Sequence, residues 1–107
     1  MSDRNEKIQE VLRDLAARFL SMNGNGSSLL TVTRVELTPD GKRATIFFTV
    51  FPTEFEKTAA EFVERKVHDF KDFIKEKSKL GRIPFLSFQI DSGEKNRQKI
   101  DDLLNQN

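Results

Sequence analysis

The stretch that decides the fold is Leu29 to Phe51, LLTVTRVELTPDGKRATIFFTVF, which holds two runs rich in Val, Thr, Ile and Phe. Between the runs lies Thr38-Pro39-Asp40-Gly41-Lys42, where proline presets a turn and glycine accepts a positive φ. This pattern predicts a β-hairpin. Side chains of a strand alternate between two faces, and on the second strand we expect one set to face the core: Ala44, Ile46, Phe48 and Val50.

Helical periodicity flanks the hairpin on both sides. Ahead of it, apolar residues recur every three or four positions and predict a helix from Asp3 to about Met22, ended by the Asn- and Gly-rich loop 23–28. After it, Thr53 and Glu56 have the form of a capping box, and helical spacing runs from Phe55 to about Lys79.

Lys66 interrupts the apolar stripe of this second helical segment. Either its stem lies along the apolar surface with the charged head in water, or two shorter helices meet near it. We favour a bend between Lys66 and Asp69.

The remainder of the chain predicts a third strand and a last helix. Leu80-Gly81-Arg82-Ile83-Pro84 breaks the second helical segment, and Phe85 to Ile90 alternates as a strand. A short terminal helix would follow, with these apolar residues on its inner side: Ile100, Leu103 and Leu104. The order predicts an α+β fold over residues 1–107 as a single domain, with a three-stranded sheet that carries its helices on one face. We expect Phe48, Phe70 and Phe88 in the core.

Composition excludes several classes of function. The 107 residues contain no cysteine, so disulfides, thiolate zinc sites and cysteine nucleophiles are absent. There is one histidine, His68, and no Gly-rich phosphate loop, so we predict neither catalysis nor a metal or cofactor. The N-terminal residues have no uninterrupted apolar run, which predicts neither a secretory signal nor a membrane span, and we expect a cytoplasmic protein.

Positive charge is concentrated in one segment. The net charge is only +1, but residues 65–82 hold seven basic residues against three acids. A basic series is predicted on the solvent flank of the second helical segment, where it can follow a phosphate backbone: Lys57, Arg65, Lys71, Lys75 and Lys79. The alternative is an ordinary charged face, in which Asp69, Asp72 and Glu76 pair with those lysines.

Further polar residues extend this candidate surface. Lys66 and His68 lie within the same segment, Lys42 and Arg43 lie at the hairpin turn, and Arg82 follows the helix. His68 is more simply interpreted as a polar helix residue than as a titrating ring beside phosphates. Outward-facing Phe47 and Phe51 can stack bases, but we prefer packing beneath a terminal segment.

Three motifs resemble the ribosome-binding factor A family. Leu30 to Asp40 is similar to its first strand and turn, where T-R-V-E leads to S/T-P-D, and Arg82 to Phe88 followed by Asp91 resembles R-x-P-x-L-x-F and a trailing acid. Ile100 to Leu104 resembles the closing I-D-x-L-L. The likeness runs in order over roughly four-fifths of the chain. Family members usually bend between two helices at Ala-x-Gly, whereas this chain has Lys66-Val67-His68.

The resemblance implies a type II KH-like fold and a monomeric bacterial factor that needs no cofactor. Such a factor binds immature small (30S) ribosomal subunits, contacts 16S rRNA near the decoding region, and aids its final folding and end processing, notably in the cold. The basic residues above would be its RNA-binding surface. The alternative is a KH-like protein-interaction module without an RNA role, and an enzyme ranks third.

Overall fold

The computed structural model describes residues 3–24 and 26–91. Its elements, in chain order, are α1 (Asp3–Asn23), β1 (Leu29–Leu37), β2 (Arg43–Phe51), a 3-10 turn (Thr53–Phe55), α2 (Glu56–Arg65), α3 (Val67–Lys77) and β3 (Phe85–Ile90). This is the predicted order. The terminal helix expected through Ile100, Leu103 and Leu104 lies outside the described residues.

The predicted hairpin is confirmed. β1 and β2 pair antiparallel, from Leu29 opposite Phe51 to Leu37 opposite Ala44, with a register shift between Val32 and Arg34. At the turn, Gly41 has a φ of 73°, a value that glycine adopts without strain. The turn is further held by Asp40, which accepts hydrogen bonds from the Thr38 hydroxyl (2.6 Å) and the Lys42 backbone N–H (3.0 Å). The Thr38 bond first, and the Lys42 bond after it, lower the pKa of the Asp40 carboxyl.

β3 joins the sheet on the far side of β2. The strand order is β1-β2-β3, and β3 runs parallel to β2 from Phe85 opposite Arg43 to Ile90 opposite Phe48. Parallel neighbours need a long crossover, which here consists of α2 and α3. The helices pack on one face of this mixed sheet, as predicted for an α+β fold of the KH-like type.

The core forms between the helices and the predicted inner face of β2. Its members are Leu12, Leu15, Ala16, Phe19, Leu20, Val35, Ala44, Ile46, Phe48, Val50, Ala59, Val63, Phe70, Ile74 and Leu86. The Phe70 ring centroid lies 5.2 Å from that of Phe19 and 5.5 Å from that of Phe88. Phe48 and Phe70 are fully buried as expected, whereas Phe88 is only partly buried, at the edge strand of the sheet.

The second helical segment bends at Lys66, as predicted. Lys66 has φ −99° and ψ 2°, separates α2 from α3, and donates its backbone N–H to the Val63 carbonyl at 3.0 Å. In the described part of the chain only glycines have a positive φ. The residues of the bend therefore all have a negative φ, and the bend needs no glycine. The Lys66 ammonium lies 5.8 Å from the Phe62 ring centroid and 3.8 Å from Asp69. The chain therefore bends at Lys66, and the charged head of this residue lies near an aromatic ring and an acid of the two helices.

Two boundaries of this segment differ from the prediction. The chain enters α2 through the 3-10 turn, whose cap position is Pro52 without a side-chain hydrogen bond, so Thr53 lies inside the turn and the predicted capping box is wrong. α3 ends at Lys77 and Ser78 is extended, which places Lys79 in the loop before β3. Over the ranges 3–24 and 26–91, no helix is long and apolar enough to cross a membrane.

Candidate nucleic-acid interface

The structure gathers part of the predicted surface around the start of β3. A cleft of about 390 Å³ lies between the α2–α3 bend and this strand, and we call it the Phe85 cleft. Its lining consists of Glu64, Arg65, Val67, His68, Lys71, Pro84, Phe85 and Leu86. Three of the predicted site residues thus border one cleft, together with a single acid.

The hairpin turn reaches the same place because of the sheet register. The Phe85 backbone N–H donates to the Lys42 carbonyl at 2.8 Å, and Phe85 is the cross-strand neighbour of Arg43. Both side chains therefore leave the sheet on its outer face. The Arg43 guanidinium carbon lies 5.6 Å from the Phe85 ring centroid, within cation–π range. Arg43 does not line the Phe85 cleft itself, but it contacts the ring of a residue that does.

A second group of cations surrounds a cleft beside the first turns of α1, which we call the α1 cleft. It measures about 440 Å³ and is lined by Arg4, Lys7, Ile8, Val11, Lys79, Leu80, Gly81 and Arg82. Four of these side chains are basic and none is acidic. The cleft includes the predicted residues Lys79 and Arg82, but Lys79 reaches it from the loop and not from the helix on which it was predicted.

Arg4 and Lys7 were missed at the sequence level. They lie on α1, far in the chain from the predicted basic segment, and only the packing of α1 near the α3–β3 loop brings them to Lys79 and Arg82. A signal exists in retrospect, since positions 4, 7, 8 and 11 share one side of a helix. The two cations therefore continue the apolar stripe that contains Ile8 and Val11.

Ion pairs on α3 bear on the alternative that the basic series is an ordinary charged helix face and not a phosphate-binding surface. The three acids of this helix lie near other partners: Asp69 is 3.8 Å from Lys66, Asp72 is 3.7 Å from His68, and Glu76 is 4.0 Å from Lys77. Within the ranges that the structure covers, no acidic side chain lies within 4.0 Å of three other lysines: Lys71, Lys75 and Lys79. The acids of α3 therefore do not neutralise this part of the predicted series.

Five predicted residues line neither cleft, and one of them, Arg43, lies against the Phe85 ring. Lys42 and Lys75 are exposed at the hairpin turn and on α3, and Lys66 is held at the bend. Lys57 lies in the first turn of α2, about 12 Å along the helix axis from Arg65. The structure therefore places five of the ten predicted residues in two clefts and the other five at separate surface positions.

The outward aromatics of β2 have different surroundings. Phe47 is buried because the Arg34 guanidinium covers its ring, with 4.0 Å from guanidinium carbon to ring centroid. Arg34 is held in turn by ion pairs with Glu36 and Asp91. Phe47 is thus closed to direct base stacking, and among the described residues it is an arginine of β1 that covers its ring. Phe51 is 71% exposed.

Among residues 3–24 and 26–91, no group of three His, Cys, Asp or Glu side chains is placed to hold a metal ion.

Fold and surface together define a small KH-like α+β domain with two cation-lined clefts. Residues 2–104 match the family model described as ribosome-binding factor A. The chain belongs to the ribosome-binding factor A family.

Relatives and solved structures agree with this assignment. The chain is 30% identical over 101 residues to ribosome-binding factor A of Flavobacterium johnsoniae, covering 91% of this chain and 76% of the relative. It is 31% identical over 109 residues to that of Trichlorobacter lovleyi, covering 94% and 85%.

Two structures of the factor from Thermus thermophilus share the fold. The crystal structure superposes with a TM-score of 0.72 at 21% identity, over 80% of this chain and 93% of that one. A homology model fitted into a cryo-EM map of a complex with the 30S subunit has a TM-score of 0.66 at 19% identity, over 87% and 97%. At these identities the likeness concerns the fold alone.

Proposed function

We propose that this protein binds the small ribosomal subunit and contacts 16S rRNA through the Phe85 cleft and the α1 cleft. The family assignment supports the partner, as does the Thermus thermophilus factor, whose model was fitted into a map of its 30S complex. The observation that carries the RNA contact is the group of Arg65, His68 and Lys71 around one cleft, with Arg43 near the ring of Phe85 at its border.

The proposed mechanism is binding without chemistry. A factor that binds one rRNA conformation more tightly than another shifts the equilibrium by the ratio of the two affinities. Cations that the fold holds at fixed positions favour the conformation whose phosphates match their spacing. The protein would thereby assist the final folding of 16S rRNA and the processing of its ends, with the strongest need in the cold. It would act in the cytoplasm as a monomer and a single domain, without a cofactor.

The first experiment is sedimentation with purified ribosomal subunits. The protein should co-sediment with 30S subunits, most strongly with immature ones, and not with 50S subunits. The bound fraction should fall with added salt, since phosphate contacts release counterions. Equal binding to both subunits, or to neither, would contradict the proposal.

A second experiment tests the role in maturation. Cells without the protein should accumulate 16S rRNA with unprocessed ends at low temperature, and the wild-type chain should restore processing. A variant that lacks Arg65 and Lys71 should not restore it. If 16S rRNA has normally processed ends in cells without the protein, the function would be limited to binding the 30S subunit.

The exposed pair Leu29 and Phe51 favours a second candidate, a protein-interaction module. These residues are cross-strand neighbours and are 65% and 71% exposed. An apolar pair of this kind can meet another protein. If Leu29→Ser with Phe51→Ser abolishes co-sedimentation with 30S subunits while loss of the cations has no effect, the interaction is with ribosomal protein and not with RNA.

A further inference from the structure

Phe85 is an aromatic side chain exposed among cations. It is the first residue of β3, and 69% of its surface is open to solvent. Its neighbours in the chain, Pro84 and Leu86, are buried and pack the start of the strand. Because strand residues alternate in direction, Phe85 faces outward. A polar residue at this position would preserve the strand without exposing an apolar ring to solvent. Core packing therefore does not account for a phenylalanine here.

The surroundings of the ring indicate a ligand that is both aromatic and anionic. Phe85 borders the Phe85 cleft together with Arg65, His68 and Lys71, and the Arg43 guanidinium carbon lies 5.6 Å from the centroid of its ring. Phe85 also borders a neighbouring cleft of about 440 Å³, whose other lining residues are one acid among mainly apolar side chains: Ala60, Glu64, Val67, Leu86, Ser87 and Phe88. Clefts of this size fall within the range that accepts small organic groups.

We propose that Phe85 is a stacking platform for one unpaired RNA base, whose flanking phosphates are held by Arg43, Arg65 and Lys71. This inference rests on the proposed function and specifies its ligand as a single-stranded segment. Bases inside a duplex are stacked on each other and cannot lie on a protruding ring, whereas loops, bulges and ends present free faces. Position 85 is also one of the unspecified positions of the R-x-P-x-L-x-F motif, so the proposal concerns this chain and not the family in general.

The chain provides a matched control at the other end of the sheet. Phe51 is 71% exposed on the same outer face and lies beside Leu29 instead of cations. The test compares Phe85→Ala, Phe85→Leu and Phe85→Trp with the same three substitutions at Phe51. Binding is measured to 30S subunits, to an unstructured oligouridine, and to that oligouridine annealed to its complement.

Loss of one stacked base should raise the Kd of Phe85→Ala for 30S subunits and for the single strand roughly 5- to 150-fold. The salt dependence of log K should stay unchanged, because no phosphate contact is removed. Phe85→Leu should lose as much affinity as Phe85→Ala, and Phe85→Trp should retain affinity, since stacking needs an aromatic ring. The wild-type chain has no Trp and no Tyr, so the fluorescence of the Phe85→Trp variant comes from the introduced indole, and it should change when the single strand binds.

The outcomes separate this inference from the proposed function. If the wild-type protein does not bind 30S subunits, the proposed function fails. If the wild-type protein binds and Phe85→Ala binds equally well, or loses no more affinity than Phe51→Ala, the stacking platform alone is refuted. A melting temperature lowered as much by Phe85→Ala as by a core truncation would also refute it, because Phe85 would then be a packing residue.

Discussion

The sharpest test of the basic surface is the triple variant Lys71→Ala, Lys75→Ala and Lys79→Ala. The three side chains are exposed, and no acid in the described ranges lies within 4.0 Å of them. Lys71 borders the Phe85 cleft and Lys79 the α1 cleft, with Lys75 on the exposed side of α3. We expect the variant to bind 30S subunits more weakly and with a flatter dependence on salt.

The size of the change follows from the number of contacts. Each phosphate contact contributes about 0.7 to 0.9 to the slope of log K against log salt. Loss of three contacts should reduce the slope by about 2 to 3. Between 50 and 200 mM salt, the wild-type affinity should therefore fall roughly 20- to 40-fold more than that of the variant.

Stability should change little in this variant. Exposed lysines without partners contribute almost nothing to the free energy of unfolding. Alanine is the best helix former, which favours the substitutions at positions 71 and 75. Similar melting temperatures would show that the loss of affinity is not a loss of fold.

The control triple has to remove the same charge away from both clefts. Lys7 is unsuitable, since it lines the α1 cleft. We choose Arg13→Ala, Arg18→Ala and Lys77→Ala, since none of these residues lines either cleft. Two of them already lie near acids: Arg18 is 3.1 Å from Asp14, and Lys77 lies near Glu76. Lys77 also points away from Lys75, by about 200° around the helix axis.

Binding is measured by sedimentation or by fluorescence titration with 30S subunits at several salt concentrations. If both triples lower the affinity and the slope equally, only net charge matters and the proposed surface is wrong. If neither changes the slope, the cations of α3 make no phosphate contact.

Three further outcomes are expected. Phe70→Ala should lower the free energy of unfolding by roughly 3 to 5 kcal/mol, because the fully buried ring contacts Phe19 and Phe88; an unchanged urea midpoint would contradict its place in the core. Lys66→Gly should cost roughly 0.5 to 1 kcal/mol more than Lys66→Ala, since the bend has a negative φ and gains nothing from glycine; a gain in melting temperature would disprove this. Arg4→Ala with Lys7→Ala should lower the salt slope of 30S binding by about 1 to 2, and an unaltered slope would remove the α1 cleft from the RNA surface.

Much of the fold could be predicted from sequence because it depends on neighbours in the chain. The hairpin follows from Pro39 and Gly41 between two alternating runs, and the structure has it in that place. The bend could be located because Lys66 interrupts an apolar stripe, which is a local feature. The bend forms without the glycine that family members usually have there, since a φ of −99° is open to any residue.

The arrangement of the candidate site depended on contacts between distant segments. Strand alternation predicts that Phe85 points outward, but only the parallel pairing of β3 with β2 sets it beside Arg43 and opposite the α2–α3 bend. In the same way, Arg4 and Lys7 join Lys79 and Arg82 only through the packing of α1. The sequence by itself determined the elements, their inner faces and the charge of the basic segment, because turn chemistry and periodicity act over a few residues. The tertiary structure alone decided which cations share a cleft and which of them lies against the ring of Phe85, because sheet order and helix packing bring together residues from distant parts of the chain.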